Sequence, residues 1–210
     1  MIIVLLGPPG AGKGTQGERI ATTLGVPKIA TGDVLRAALR DGTPMGLAAK
    51  SYMDRGDLVP DEVILGIMTE KLAETADGAI LDGVVRTVNQ AVGLEAAVAG
   101  LGRNVDAVLV FDIDDDELVR RLSGRTVCDK TQKPFTGLEP NQPCPDSCGG
   151  KLVRRADDEP DAVRHRLAVY RDQTAPVIEW YRNNGTNIAT INAVGTLEDV
   201  EARALHALGR

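Results

Sequence analysis

Met1-Ile-Ile-Val-Leu-Leu-Gly-Pro-Pro-Gly-Ala-Gly-Lys-Gly-Thr15 is the stretch that decides the fold. Ile2 to Leu6 is an unbroken apolar run, the pattern of a strand buried on both faces. It is too short to span a membrane or to serve as the apolar region of a secretion signal. A glycine-rich turn follows, and a helical pattern runs from about Lys13 to Leu24. Gly7, four residues, then Gly12 and Lys13 fit the start of a phosphate-cradling loop between strand and helix. Phosphate needs backbone N–H groups at a helix start, and glycines let the backbone come that close. Lys13 adds a point charge for terminal phosphates. A plain glycine turn is the competing reading, and the lysine in this strand–helix setting outweighs it. The general pattern has Ser or Thr directly after the lysine. Here Gly14 intervenes and the hydroxyl comes at Thr15, which leaves magnesium held more by phosphates and water than by the loop.

Working outward, further apolar runs occur at Ala79 to Leu81, Ala107 to Phe111 and Asn187 to Ile191, separated by helical stretches. That alternation predicts an α/β fold, a parallel sheet with helices on both faces. Ile80-Leu81-Asp82 ends in a carboxylate suited to orienting magnesium-bound water, although an Asp-Gly turn at a strand end explains the same residues. Two stretches break the rhythm. Thr31 to Leu65 reads as a helical, charged insertion. Thr126 to Val153 is rich in Pro, Gly, Gln, Lys and Asp, lacks a helical period, and is expected to be an irregular or hairpin module acting as a lid. Pro160 to Arg182 reads as one long helix with its proline in the first turn.

Composition narrows the class. The 210 residues are 43% hydrophobic and 26% charged, the balance of a globular protein, and only 3% aromatic, so the core rests on aliphatic residues. A net charge of −6, from 24 basic and 30 acidic side chains, argues against bulk affinity for nucleic acid or anionic membranes. The expected location is the cytoplasm. Three cysteines, Cys128, Cys144 and Cys148, fall in one short segment; an odd number in a reducing compartment points to a metal or to burial rather than to disulfides. Asp114 to Glu117 reads as a solvated helix start. His165 and His206 stand alone in helical patterns and are given no role.

With the loop in place, the remaining motifs carry a resemblance. Thr31-Gly-Asp-Val-Leu-Arg36, Asp57-Leu-Val59, Leu81-Asp-Gly83 with Arg86-Thr87 and Gln90, Gly124-Arg125, Arg155 with Asp157-Asp158, and Arg166-Leu167 occur in the order seen in adenylate kinases. The chain resembles that family from Met1 to the Gly195-Thr196 region. The resemblance implies a P-loop kinase core (1–29, 60–125 and 154–210), an AMP-binding module (30–59) and a lid (126–153). It implies a reversible, magnesium-dependent reaction, ATP + AMP giving two ADP, in a monomer. Gly10, Ala11, Gly12, Lys13, Gly14 and Thr15 are then expected on the ATP phosphates, with Arg125, Pro134, Phe135 and Leu197 along the rest of ATP. Thr31, Arg36, Asp57, Leu58, Val59, Gly83, Arg86, Gln90, Arg155 and Arg166 are expected around AMP, with Met53 either near AMP or in the core.

The chemistry explains the residue types. Phosphoryl transfer asks for positioning and positive charge, not a side-chain nucleophile. Lys13 with Arg86, Arg121, Arg125, Arg155 and Arg166 supplies that charge, and arginine's planar fork matches phosphate oxygens. Taken singly, each arginine reads equally well as a surface ion pair. Another nucleoside monophosphate kinase is the alternative within enzymes, with Thr31 and Gln90 favouring AMP. A nucleotide-binding protein with reduced catalysis is the alternative outside them.

Two departures from the resemblance stand out. Val84-Val85 replace an aromatic residue and a cis proline. The cis form before valine costs about 2.5–4 kcal/mol, so a trans bond is expected, with Arg86 shifted or its loop loosened. In the lid, relatives carry two Cys-x-x-Cys-like pairs around zinc. Here Thr131 takes the second position, and Cys144 and Cys148 have three residues between them. Zinc on the three cysteines, with Asp129 or Asp146 as a fourth ligand, competes with a lid held by hydrogen bonds and apolar contacts.

Overall fold

The computed structural model describes residues 1–75 and 77–210. In chain order it contains β1 (Ile2–Leu6), α1 (Lys13–Leu24), β2 (Lys28–Ala30), α2 (Thr31–Arg40), α3 (Pro44–Arg55), α4 (Asp61–Ala73), β3 (Ala79–Asp82), α5 (Val88–Gly100), β4 (Ala107–Asp112) and α6 (Asp115–Ser123). Then come β5 (Arg125–Cys128), β6 (Pro134–Thr136), β7 (Leu152–Val153), α7 (Pro160–Val169), α8 (Ala175–Asn183), β8 (Ile188–Asn192) and α9 (Leu197–Ala207).

Five strands form one parallel sheet in the order β2-β3-β1-β4-β8. The expected α/β architecture follows from the alternation of side chains along β1. Ile2, Val4 and Leu6 enter a core on one face with Met68, Leu94, Val98, Val177 and Tyr181 of α4, α5 and α8. Ile3 and Leu5 enter the opposite core with Ile20, Leu118, Leu122, Val163, Leu167 and Val200 of α1, α6, α7 and α9. This two-sided burial explains why β1 has no polar position. Helices α2, α3 and α4 share a smaller cluster around Leu35, Ala49, Val59, Ile64 and Ile67.

The structure differs from the sequence reading in four places. β2 was not expected: its three residues lie between Pro27 and a helix, too few to show a period. β8 begins one residue later than the apolar run suggested. The cysteine-bearing segment contains the expected hairpin, β5 with β6, but adds a third strand in the antiparallel order β6-β5-β7 and starts at Arg125. Strands of two to four residues there are too short to betray alternation. Finally, Pro160 to Arg182 is not one regular helix. A π-helical turn, Tyr170–Thr174, separates α7 from α8. Pro176 explains it, because proline lacks an N–H and crowds the carbonyl four residues back, so the ladder widens just before it. No helix among the described residues is long and apolar enough to cross a membrane.

Candidate active site

The C-terminal end of β1 leads straight into the glycine loop. Gly7 has φ 142°, and a Cβ there would lie 2.6 Å from the Phe111 carbonyl oxygen of β4, so a side chain is excluded. Gly12, at φ 88°, is the left-handed N-cap of α1, and no side chain caps that helix. The first-turn N–H groups of α1 thus converge at a positive helix end. Lys13 Nζ folds beneath the loop and donates to the carbonyls of Gly7 at 2.6 Å and Pro8 at 2.9 Å. Desolvation lowers its pKa to about 8; Asp82 opposes this, while Arg86, Arg166 and Arg125 reinforce it. The departure at Gly14 has a local reason. A Cβ there would meet Asp82 Oδ2 at 3.3 Å, so glycine leaves room for the carboxylate at the end of β3.

Two open clefts lie side by side here, only the first of them touching the loop, and Gly56, Leu58, Gly83, Arg86 and Arg166 line both. The first holds Gly7, Pro9 and Lys13. The second holds Thr31, Arg36, Met53, Asp57, Val59, Gln90 and Asp157. Of the residues expected around AMP, Arg155 alone lies outside that second lining; it donates to the Gln132 carbonyl in the lid segment at 3.4 Å. Ala11 is buried, and Pro134, Phe135 and Leu197 line neither cavity. Phe135 lies 5.6 Å beneath the Lys133 ammonium, and Leu197, half exposed, opens α9 and accepts from Gln16 Nε2 at 3.0 Å.

The arginines form a cluster of like charge. Desolvation lowers the pKa of Arg86, then the charges of Arg166 and Arg36 lower it further. Desolvation likewise brings Arg155 to about 10, with Arg36 and Arg125 adding to the effect. Carboxylates hold the cluster together. Asp158 accepts from Arg125 Nη2 and, at 2.7 Å, Nε, and from Arg166 at 3.2 Å. Asp157 pairs with Arg166 at 3.1 Å. Arg121 donates to Glu117 at 2.7 Å and to the Ala193 carbonyl at 2.9 Å, and reaches within 3.9 Å of a Cβ at Gly12.

The loop carrying Arg86 has no cis bond, as expected from Val84-Val85. It is nevertheless pinned rather than loose. Both valines are buried in the core cluster. Thr31 Oγ1 donates to the Gly83 carbonyl at 2.7 Å, Thr174 Oγ1 to the Arg86 carbonyl at 2.8 Å, and Arg86 N–H to Gln90 Oε1 at 2.7 Å. Gln90 Nε2 in turn donates to Asp61 at 2.7 Å. Asp61 and Thr174 carry no motif signal, since their partners are distant in the chain. The proline at 176 and the helix start at Asp61 were the available clues.

In the lid segment the three cysteine sulfurs lie within 4.8 Å of one another, with Cys128 and Cys148 at 3.3 Å. A Cβ at Gly150 would sit 2.6 Å from Cys128 Sγ, so glycine keeps the thiol cluster open. Burial opposes ionisation of Cys128, but hydrogen bonds from Thr131 and Cys148 outweigh it and hold that thiol at about 6. Both candidate fourth ligands have other partners, although Asp129 Oδ1 borders the cluster, 2.7 Å from the same Gly150 Cβ position. Asp129 accepts from Lys151 N–H at 2.9 Å, and Asp146 pairs with Lys133 at 2.7 Å.

Known proteins resemble this chain along most of its length. A family model described as adenylate kinase matches residues 5–186. An adenylate kinase of Gemmatimonas aurantiaca is 64% identical over 211 residues, covering 99% of each chain. One of Acidothermus cellulolyticus is 50% identical over 214 residues, covering 99% of this chain and 98% of its own. One of Methanosarcina barkeri is 44% identical over 205 residues, covering 95% and 94%.

Proposed function

The chain belongs to the adenylate kinase family, and from that premise we propose how its residues divide the reversible, magnesium-dependent reaction ATP + AMP giving two ADP. The observation that carries the assignment is the pair of adjoining cavities with Arg86 and Arg166 in both linings. ATP's terminal phosphates sit on the loop, on Gly10, Ala11, Gly12, Lys13, Gly14 and Thr15. AMP fills the cavity of Thr31, Arg36, Asp57, Leu58, Val59, Gly83 and Gln90. An oxygen of the AMP phosphate attacks the γ-phosphorus in line, the bond to the bridging oxygen breaks, and ADP leaves from each side. Arg86 and Arg166 stand where the charge spreads, and Arg121, Arg125 and Arg155 complete the positive field. Magnesium, when bound with ATP, neutralises phosphate charge; Asp82, against Gly14, is the carboxylate placed to hold its water shell.

The core (1–29, 60–125, 154–210), the AMP module (30–59) and the lid (126–153) act as separate bodies that close to exclude water, without which ATP would be hydrolysed. Pro134 and Phe135 on β6, and Leu197 on α9, then meet the donor nucleotide on closure. The protein works as a monomer in the cytoplasm. Cys128, Cys144 and Cys148 would supply three of the four ligands that a structural zinc takes, with Asp129 or Asp146 as the fourth.

Acceptor choice tests the reading. Gln90 spends one acceptor and one donor on Arg86 and Asp61. Its amide keeps a second lone pair and a second N–H, suited to the adenine edge. With ATP as donor, AMP is expected to be phosphorylated faster than UMP or CMP in a coupled ADP assay. UMP or CMP as the better acceptor would overturn the assignment of this cavity.

A further inference from the structure

His165 has no motif and no cysteine or second histidine near it in sequence. In space it meets Asp57, 108 residues away, with Nε2 2.6 Å from Asp57 Oδ1. The contact joins α7 to the turn that leaves α3. Gly56 begins that turn in the left-handed region, and a Cβ there would strike the Arg166 side chain at 2.6 Å, so the turn lies directly on α7. Gly56, Asp57, Leu58 and Val59 line the second cavity. The Asp57 carboxylate is shared: its other oxygen accepts from Arg55 Nε at 2.7 Å. One partner lies on the module's own helix and the other on α7.

We propose that His165 is a positioning residue for AMP, holding the 56–59 turn against α7 by donating Nε2–H to Asp57, most strongly as the imidazolium. The inference rests on the assignment of this cavity to AMP. The neighbouring charges are already paired. On α7, Arg164 pairs with Asp161, and Arg166 with Asp157 and Asp158. On α3, Lys50 pairs with Asp54. On α6, Glu117 holds Arg120 and Arg121, and Asp115 holds Arg171. Asp57 is therefore the carboxylate that His165 meets. Its carboxyl is held below the ordinary range first by the His165 hydrogen bond and then by the Arg55 bond.

Imidazoles change charge between pH 5 and 8. Loss of the imidazole's proton would remove the pair's positive partner, slacken the turn and raise KM for AMP. Both side chains are partly exposed, which limits the effect to about two- to fivefold. The phosphate of AMP titrates near pH 6 and is still partly protonated at pH 6.5, so the change between pH 6.5 and 8.5 is read against His165→Lys, which meets the same AMP titration while its own charge stays fixed. KM for AMP and for ATP is measured for the native protein, His165→Lys and His165→Gln. Expected is a native KM for AMP that rises about two- to fivefold relative to His165→Lys, with His165→Gln near the high-pH native value at both pH values. A purely structural histidine would lower the melting temperature without giving this pH dependence. If His165→Gln keeps the native profile, or His165→Lys rises equally, the positioning role is overturned. If the histidine-dependent change appears in KM for ATP instead, it is the assignment of the cavity to AMP that falls.

Discussion

Lys13 is held by two loop carbonyls, at 2.6 and 2.9 Å. Those contacts occupy its protons without neutralising its charge, so a phosphate entering the loop meets an ammonium whose best partner is the ligand. Lys13→Ala is expected to fold, since only backbone contacts are lost, and to lower turnover by about 10², the scale of one preorganised charge. Near-normal ADP production by the folded variant would remove Lys13 from the chemistry. Val84 and Val85 lead to a different expectation. From the sequence alone, restoring an aromatic and a proline should sharpen AMP binding. In the structure both valines are 2% exposed or less, and Arg86 is already pinned through its N–H and its carbonyl. Val84→Phe with Val85→Pro therefore overpacks a filled core, at about 1–3 kcal/mol. The expected result is a lower melting temperature and no gain in kcat/KM for AMP. A gain of several-fold would show that the valine pair had left Arg86 out of place.

At the scale of elements, legibility followed length. β1 and α1 were readable because five buried residues and a twelve-residue helix leave a clear pattern. β2, β5 and β6 were not, because three or four residues that include polar side chains carry neither a period nor the unbroken apolar run that marked the equally short β3. The π turn was invisible as periodicity and needed the steric consequence of Pro176. Site residues followed another rule. Those in local motifs, such as Lys13, Thr31 and Gln90, could be named in advance. Asp61, Thr174 and His165 could not, because each acts through a partner 26 to 108 residues away. The lid has little core of its own. Its sheet is small, and its interior is mainly Val127, Cys128, Cys144 and Leu152, little apolar area to offset chain entropy. A zinc on the three sulfurs would offset the deficit. Protein purified without chelator is expected to contain one zinc per chain and to melt lower after EDTA. Metal-free protein with an unchanged melting curve would assign the lid to its hydrogen bonds, such as Asp129 with Lys151.

For the molecule as a whole, an acidic protein of net charge −6 gathers Arg36, Arg86, Arg125, Arg155 and Arg166 with Lys13 into one place. That arrangement works against the ligand-free fold. The folded pKa of Lys13 is lowered from 10.5 to about 8, so the folded state binds this proton less readily than the unfolded chain does. The sign follows from linkage: below about pH 8 both states are protonated and the folded state carries the full penalty of a desolvated charge. As pH rises from 8 towards 10.5 the penalty is relieved. Arg155, lowered to about 10, acts in the same direction slightly higher on the scale. Phosphate reverses the balance, because an anion in the cluster stabilises these cations where they stand. A ligand that binds only the folded state raises stability by about 2.7 kcal/mol at 100 times its Kd. That gain depends on the cations being charged. The nucleotide phosphates have finished titrating by about pH 7, so they do not change between pH 7.5 and 9.5, whereas Lys13 does. At a fixed ADP concentration, the rise in melting temperature is therefore expected to be larger at pH 7.5 than at 9.5, while the ligand-free protein gains relative stability from these groups over the same interval. An ADP-induced shift that is equal at the two pH values, with binding confirmed at both, would mean that nucleotide binding does not draw on the Lys13 charge.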